Sequence, residues 1–227
     1  CCDRATPGTI YSVGPYRAYG RQNRPPSGRR RVDRTGHNRP RPSPDNRSSL
    51  AAGRARMPAD DTAGVVGVTG PHQGEQTVTA GTPLDGASAA VVLVHGRGAT
   101  ARGMLGMATE LPDGVAYLAP QAARRTWYPN SFLEPVDRNE PGRSSGLARL
   151  DELVERAGNA GLDPGRVVLV GFSQGGCLAS DFLAGNPRRY GGLAALSGGL
   201  IGESVGRDSY DGSLSGTPVF LGCSDTD

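Results

Sequence analysis

The ten residues Val167–Gly176, VVLVGFSQGG, constrain this chain more than any others. Four consecutive apolar residues, three of them β-branched, run into Gly171-Phe172-Ser173-Gln174-Gly175, and a helix-compatible stretch follows. That order predicts a strand, a sharp turn and a helix, with Ser173 at the turn. A serine so placed has a strained backbone and an exposed hydroxyl. Glycines two residues to either side let the strand and helix approach where a Cβ would collide. The product is a nucleophile suited to acyl transfer.

The pattern Gly-x-Ser-x-Gly alone would not carry this reading, because it occurs three times, around Ser144, Ser173 and Ser204. Ser144 follows Glu140-Pro141 with no strand before it and reads as a helix-entry serine. Ser204 sits in a glycine-rich loop. Only Ser173 has a strand in front of it and a helix behind it.

Charge divides the chain in two. Residues 1–56 hold 13 of the 25 arginines and three acidic residues, whereas 57–227 hold 12 arginines and 19 acidic residues. The first part is rich in Arg, Pro, Gly, Ser and Asn without apolar periodicity. Such a stretch buries too little surface to offset chain entropy and is expected to be a disordered basic arm. The chain starts at Cys1, and Met57 opens an ordinary acidic sequence, so the arm is expected to be upstream sequence foreign to the folded protein. The other reading is a basic arm for nucleic acid. Residues 57–227 are expected to form the folded domain. No apolar run approaches the ~20 residues of a membrane span. The four cysteines show no disulfide spacing, which fits free thiols in a cytoplasmic protein.

Within the domain, 75–80 alternates as an edge strand, 84–87 turns, and 89–94 is a continuous apolar run suited to a central parallel strand. A helix is expected over 100–111, a strand over 115–119, and a long polar and aromatic loop over 121–142. Helix 144–160 carries a stripe of Leu147, Leu150, Val154 and Ala157. The elbow strand and helix follow, then strands at 193–196 and 218–221. Strands alternating with helices predict an α/β, doubly wound, mostly parallel sheet.

Acyl transfer needs a nucleophile, a base, a group that orients the base, and donors for the oxyanion. Ser173 is the nucleophile. The backbone N–H of Gln174, at a helix N-terminus, is one expected oxyanion donor. The loop His95-Gly96-Arg97-Gly98, directly after an early strand, offers the second through the Arg97 N–H. His95 itself precedes the serine and is expected to brace that loop; the alternative is a catalytic base. Trp127 and Tyr128, with Phe132, either line an acyl or alcohol pocket or pack the long loop onto the core. Cys177 is expected to face the core without acting as a nucleophile. No metal or cofactor is implied.

Val94-His95-Gly96-Arg97-Gly98, Ala119-Pro120-Gln121-Ala122, Trp127-Tyr128-Pro129, Gly171–Gly176 and Leu196-Ser197-Gly198 occur in the order and spacing of the phospholipase/carboxylesterase family. The chain resembles that family, which includes the acyl-protein thioesterases and is related to dienelactone hydrolases, over about residues 75–227. The resemblance implies an α/β-hydrolase-type sheet lacking its last helix and strand. It also implies a serine carboxylic-ester hydrolase acting on a small ester, thioester or lysophospholipid. The triad acid would fall in Ser224-Asp225-Thr226-Asp227, with Asp227 favoured over Asp225. The family's triad histidine lies beyond the acid, and here His37, His72 and His95 all precede Ser173. A C-terminally truncated enzyme with slight turnover is therefore expected. The alternatives are a hydrolase-fold protein that binds without turnover, or a nucleic-acid binder acting through the arm.

Overall fold

The computed structural model describes residues 70–106, 112–206, 209–214 and 216–223. The basic arm, Asp225 and Asp227 lie outside the described residues.

Six strands form one sheet: β1 (Thr77–Gly81), β2 (Ala89–Val94), β3 (Val115–Pro120), β4 (Val167–Phe172), β5 (Gly192–Leu196) and β6 (Val219–Gly222). Their order is β1-β3-β2-β4-β5-β6. β1 runs antiparallel to β3 and every other pairing is parallel. The expected doubly wound, mostly parallel sheet is what forms. Parallel strands need a crossover, which the helices α1 (Ala101–Leu105), α2 (Gly142–Asn159) and α3 (Gln174–Gly185) help to provide.

The alternation of side chains along a strand assigns each face its own core. Ala90, Val92 and Val94 of β2, with Ala116 and Leu118 of β3, join α2 and α3 through Leu150, Leu153, Leu178 and Phe182. Leu93 of β2, with Tyr117 and Ala119 of β3, meets Ala101 and Met104 of α1. The first face is deeply buried. On the second, Val168 and Val170 of β4 and Ala194 and Leu196 of β5 are only half-buried, and at the edge strand β6 Val219, Phe220 and Leu221 are exposed on both faces.

The helices differ from expectation in instructive ways. α2 starts two residues early, at Gly142, and the Glu140 carboxylate caps it by accepting the Ser144 N–H at 3.0 Å. Its buried stripe includes Leu153, while Leu147 is only partly buried. It also includes Arg149, whose guanidinium donates to Glu75 O (2.8 Å) and Thr77 Oγ1 (2.6 Å) and pairs with Glu152. The arginine thus fastens α2 to the edge strand β1, a tie that hydrophobic periodicity cannot reveal. α1 is capped by Thr100, whose Oγ1 accepts the Gly103 N–H. The remainder of the expected helix, 107–111, lies outside the described residues. Pro120 ends β3 from within; the next N–H, of Gln121, continues the pairing to Gln76 O.

Candidate active site

β4 delivers Ser173 to the carboxyl end of the sheet with φ 51° and ψ −117°, at the cap of α3. Non-glycine residues seldom hold that conformation, and it costs about 1–3 kcal/mol wherever it persists. Here the surroundings enforce it. The Ser173 N–H donates to Leu196 O at 2.7 Å. A Cβ at Gly171 would lie 2.6 Å from Gly176 Cα, and one at Gly175 would lie 2.6 Å from the His95 carbonyl oxygen. Both glycines therefore serve close backbone approach. Ser173 remains partly exposed and Phe172 beside it is 50% exposed. Ser144 lies in the first turn of α2 and Ser204 in an irregular loop, so neither shares this arrangement.

The pairing of Val94 with Gly171 sets the loop after β2 next to the elbow. A Cβ on Gly96 would sit 3.5 Å from Ser173 Cβ. Arg97 follows in the same loop. Its guanidinium does something the sequence did not reveal: it forks onto Pro129 O (2.8 Å) and Asn130 O (2.6 Å).

Gln174 has an equally unforeseen second use. Its buried side-chain Oε1 accepts the Trp127 N–H at 2.9 Å and the Thr126 hydroxyl at 3.3 Å, while its Nε2 donates to Tyr128 O at 2.7 Å. The partners fix which end of the carboxamide is which, since an amide N–H demands the oxygen and a carbonyl the nitrogen. Arg97 and Gln174 thus both hold segment 126–130 with their side chains.

Two histidines complete the clasp. His95 is fully buried; its Nδ1–H donates to Gly96 O (2.8 Å) and its Nε2 accepts the Ala122 N–H (3.0 Å). With both nitrogens engaged it braces the loop, and it has no free lone pair to take a proton from Ser173. His72, also buried, donates from Nε2 to Trp127 O (2.9 Å) and accepts the Ala123 N–H at Nδ1 (3.1 Å). Nothing local marked His72, because its partners lie more than 50 residues away.

Burial pushes both imidazoles below their ordinary pKa, opposed in each by a hydrogen bond to a backbone carbonyl. The unfolded chain then binds protons near pH 6.5 that the folded chain refuses. Stability from these groups is complete above pH 6.5 and falls as pH drops below it, by up to about 1.4 kcal/mol per pH unit for each histidine. Urea midpoints between pH 7 and pH 5.5, above most carboxylate titrations, are expected to fall accordingly. A flat profile over that window would contradict the neutral, buried rings.

Trp127 is fully buried and donates from Nε1 to His95 O at 2.8 Å; Tyr128 is 2% exposed. Trp127 and Tyr128 pack the loop onto the core, while Phe132 stays partly exposed. Cys177 is buried as expected, its Sγ accepting the Gly199 N–H at 3.4 Å, and burial pushes its thiol pKa up. It is not a nucleophile in waiting.

Residues 76–227 match the family described as Phospholipase/Carboxylesterase. The chain belongs to this family. A phospholipase/carboxylesterase from Dyadobacter fermentans has a similar structure, with 39% identity and a TM-score of 0.64, covering 68% of this chain and 74% of that one. Among curated family relatives, acyl-protein thioesterase 1 of Cryptococcus neoformans is 28% identical over 134 residues, covering 51% of this chain and 56% of its own. The chain thus spans about half the length of that relative. SOBER1 of Arabidopsis thaliana, at 20% identity and a TM-score of 0.50 over 60% of this chain and 73% of its own, shares the fold. Among the described residues, no helix is long and apolar enough to cross a membrane.

Proposed function

We propose that this family member is a serine carboxylic-ester hydrolase in which Ser173 attacks the substrate carbonyl and carries the acyl group. The observation that carries the reading is the left-handed Ser173 backbone, enforced between β4 and α3 by Gly171 and Gly175. As the carbonyl carbon becomes tetrahedral, charge builds on its oxygen. The Gln174 N–H, an orphan donor in the first turn of α3, and the Arg97 N–H stabilise that oxyanion. Trp127 and Tyr128 serve by holding the loop that Arg97 and Gln174 grip. Asp227, in preference to Asp225, is the acid that orients the base. The base is a group other than His72 and His95, whose rings are neutral and fully engaged. Small carboxylic esters are the substrate class, with thioesters and lysophospholipids as its neighbours. Cys177 is a free thiol, in keeping with the cytoplasm.

His72 and His95 are held by the clasp, so substituting either is expected to act on Ser173 through the stability of the loop and not through loss of a proton acceptor. Covalent labelling by a fluorophosphonate, read by mass spectrometry, tests the assignment. The label is expected on Ser173 and is expected to vanish in Ser173→Ala. Equal labelling of both proteins would remove Ser173 from the reaction. A second reading, a hydrolase-fold protein that binds esters without turnover, is favoured by the engagement of both described histidines. It predicts ester binding without any labelling.

A further inference from the structure

The loops at the mouth of the candidate site differ in charge from the rest of the domain. Residues 57–227 carry 19 acidic residues against 12 arginines. The segments 95–106 and 121–133, nearest Ser173 and Gln174 along these loops, carry Arg97, Arg102, Arg124 and Arg125 and no acidic residue, while Glu134, Asp137 and Glu140 lie in the remainder of the 121–142 loop. Arg124 and Arg125 are adjacent and exposed, and both hold a left-handed backbone, at φ 52° and φ 60°. Neither guanidinium has a carboxylate partner among the described residues; Arg143, Arg149 and Arg188 have one, and Arg138, Arg166 and Arg189 do not.

This corner is pinned on both sides. Before it, Ala122 and Ala123 donate their N–H groups to the buried rings of His95 and His72. After it, Trp127 is bound to Gln174, the residue following Ser173. At its apex Arg125 O accepts the Gly98 N–H at 2.8 Å, which joins the corner to the loop beside Ser173. Two left-handed, non-glycine residues in succession are costly, so the pinning is what makes the fold present this pair here. Arg97 adds its charge at the same rim, since its hydrogen bonds go to neutral carbonyls.

We propose that Arg124 and Arg125 form an anion-binding corner at the mouth of the Ser173 site, selecting esters that carry a carboxylate or another anionic group near the scissile bond. This rests on the hydrolase reading above and narrows its substrate class. Guanidinium forks hold carboxylates through paired, charge-assisted hydrogen bonds. Binding can be read without turnover, using amides that mimic esters and resist hydrolysis. Calorimetry would compare N-phenylsuccinamate, an anion, with neutral N-phenylbutyramide on the full chain.

The anion is expected to bind about tenfold more tightly at about 20 mM salt, with the preference shrinking at about 200 mM. It is expected to slow fluorophosphonate labelling of Ser173 by competition. Arg124→Asn/Arg125→Asn should abolish the preference; asparagine tolerates the left-handed backbone. Arg166→Gln, at the opposite end of β4, should preserve it. Equal affinity of the parent for both amides, a preference indifferent to salt, or a preference surviving in the double variant would each overturn the proposal. The parent comparison stands even if the variant fails to fold. The hydrolase reading fails separately, through absence of Ser173 labelling, and an arginine-dependent preference would then remain as an anion site without that chemistry.

Discussion

Gly175→Ala is expected to destabilise the protein by about 3 kcal/mol and to lower its melting temperature by about 10 °C. The added methyl would overlap the Val94 carbonyl and lie 2.6 Å from the His95 carbonyl oxygen. These are backbone atoms of β2 and the loop after it, and β2 is paired on both sides. No side-chain rotation relieves the contact, so α3 must retreat from the sheet. Retreat moves the Gln174 N–H, and fluorophosphonate labelling of Ser173 should slow along with the loss of stability. Gly185→Ala is the control. It lies in the same helix, nothing stands within 4 Å of its added Cβ, and alanine is the better helix former. That variant should be as stable as the parent or slightly more so. Equal melting temperatures for the two variants would show that the elbow yields where the packing says it cannot.

Asp181→Ala carries the second large effect. Asp181, on α3, is 1% exposed and accepts from Arg143 Nε of α2 at 2.7 Å and from the Tyr210 hydroxyl. Arg143 keeps only Glu140, at 3.3 Å, when that carboxylate is gone. Removing one partner of a buried pair strands the other charge, at a cost of about 3–5 kcal/mol. The Arg143 side chain is 18% exposed, so water recovers part of the loss and about 3 kcal/mol is expected. Tyr210→Phe, which removes one hydrogen bond, should cost about 1 kcal/mol. The pair is read from urea midpoints. Asp181→Ala within about 0.5 kcal/mol of the parent would mean that the cluster is solvated.

The parts of the fold that repeat locally were readable from sequence. The apolar runs at β2 and β4 announced buried parallel strands, and glycine spacing around Ser173 announced the elbow. The site's supports were not readable in this way. His72, Arg149 and Asp181 are polar residues buried by partners tens of residues away, and no periodicity encodes such a meeting. For Gln174 and Arg97 the motif speaks only of the backbone N–H groups. Their side chains turn out to grip one common segment. Leu153 joins Val154 in the buried stripe of α2, since two neighbouring positions of a helix readily share a wide apolar face. The aromatic loop offers two roles at equal sequence cost, and composition says nothing of how deeply Trp127 and Tyr128 are buried.

The strand order has a bearing on how the chain acquires its site. β2 lies between β3 and β4, and the pairing of Val94 with Gly171 spans a long stretch of chain. The elbow is then tied to Leu196 and the clasp to His72, so its pieces are gathered from across the described residues. Such non-local closures come late, after their entropy has been met by other contacts. α2 and α3 have local hydrogen bonds and can form early, but the strained Ser173 conformation has no local reason to exist. A nascent or half-refolded chain therefore carries the serine without its strained backbone, which arrives only with the completed sheet.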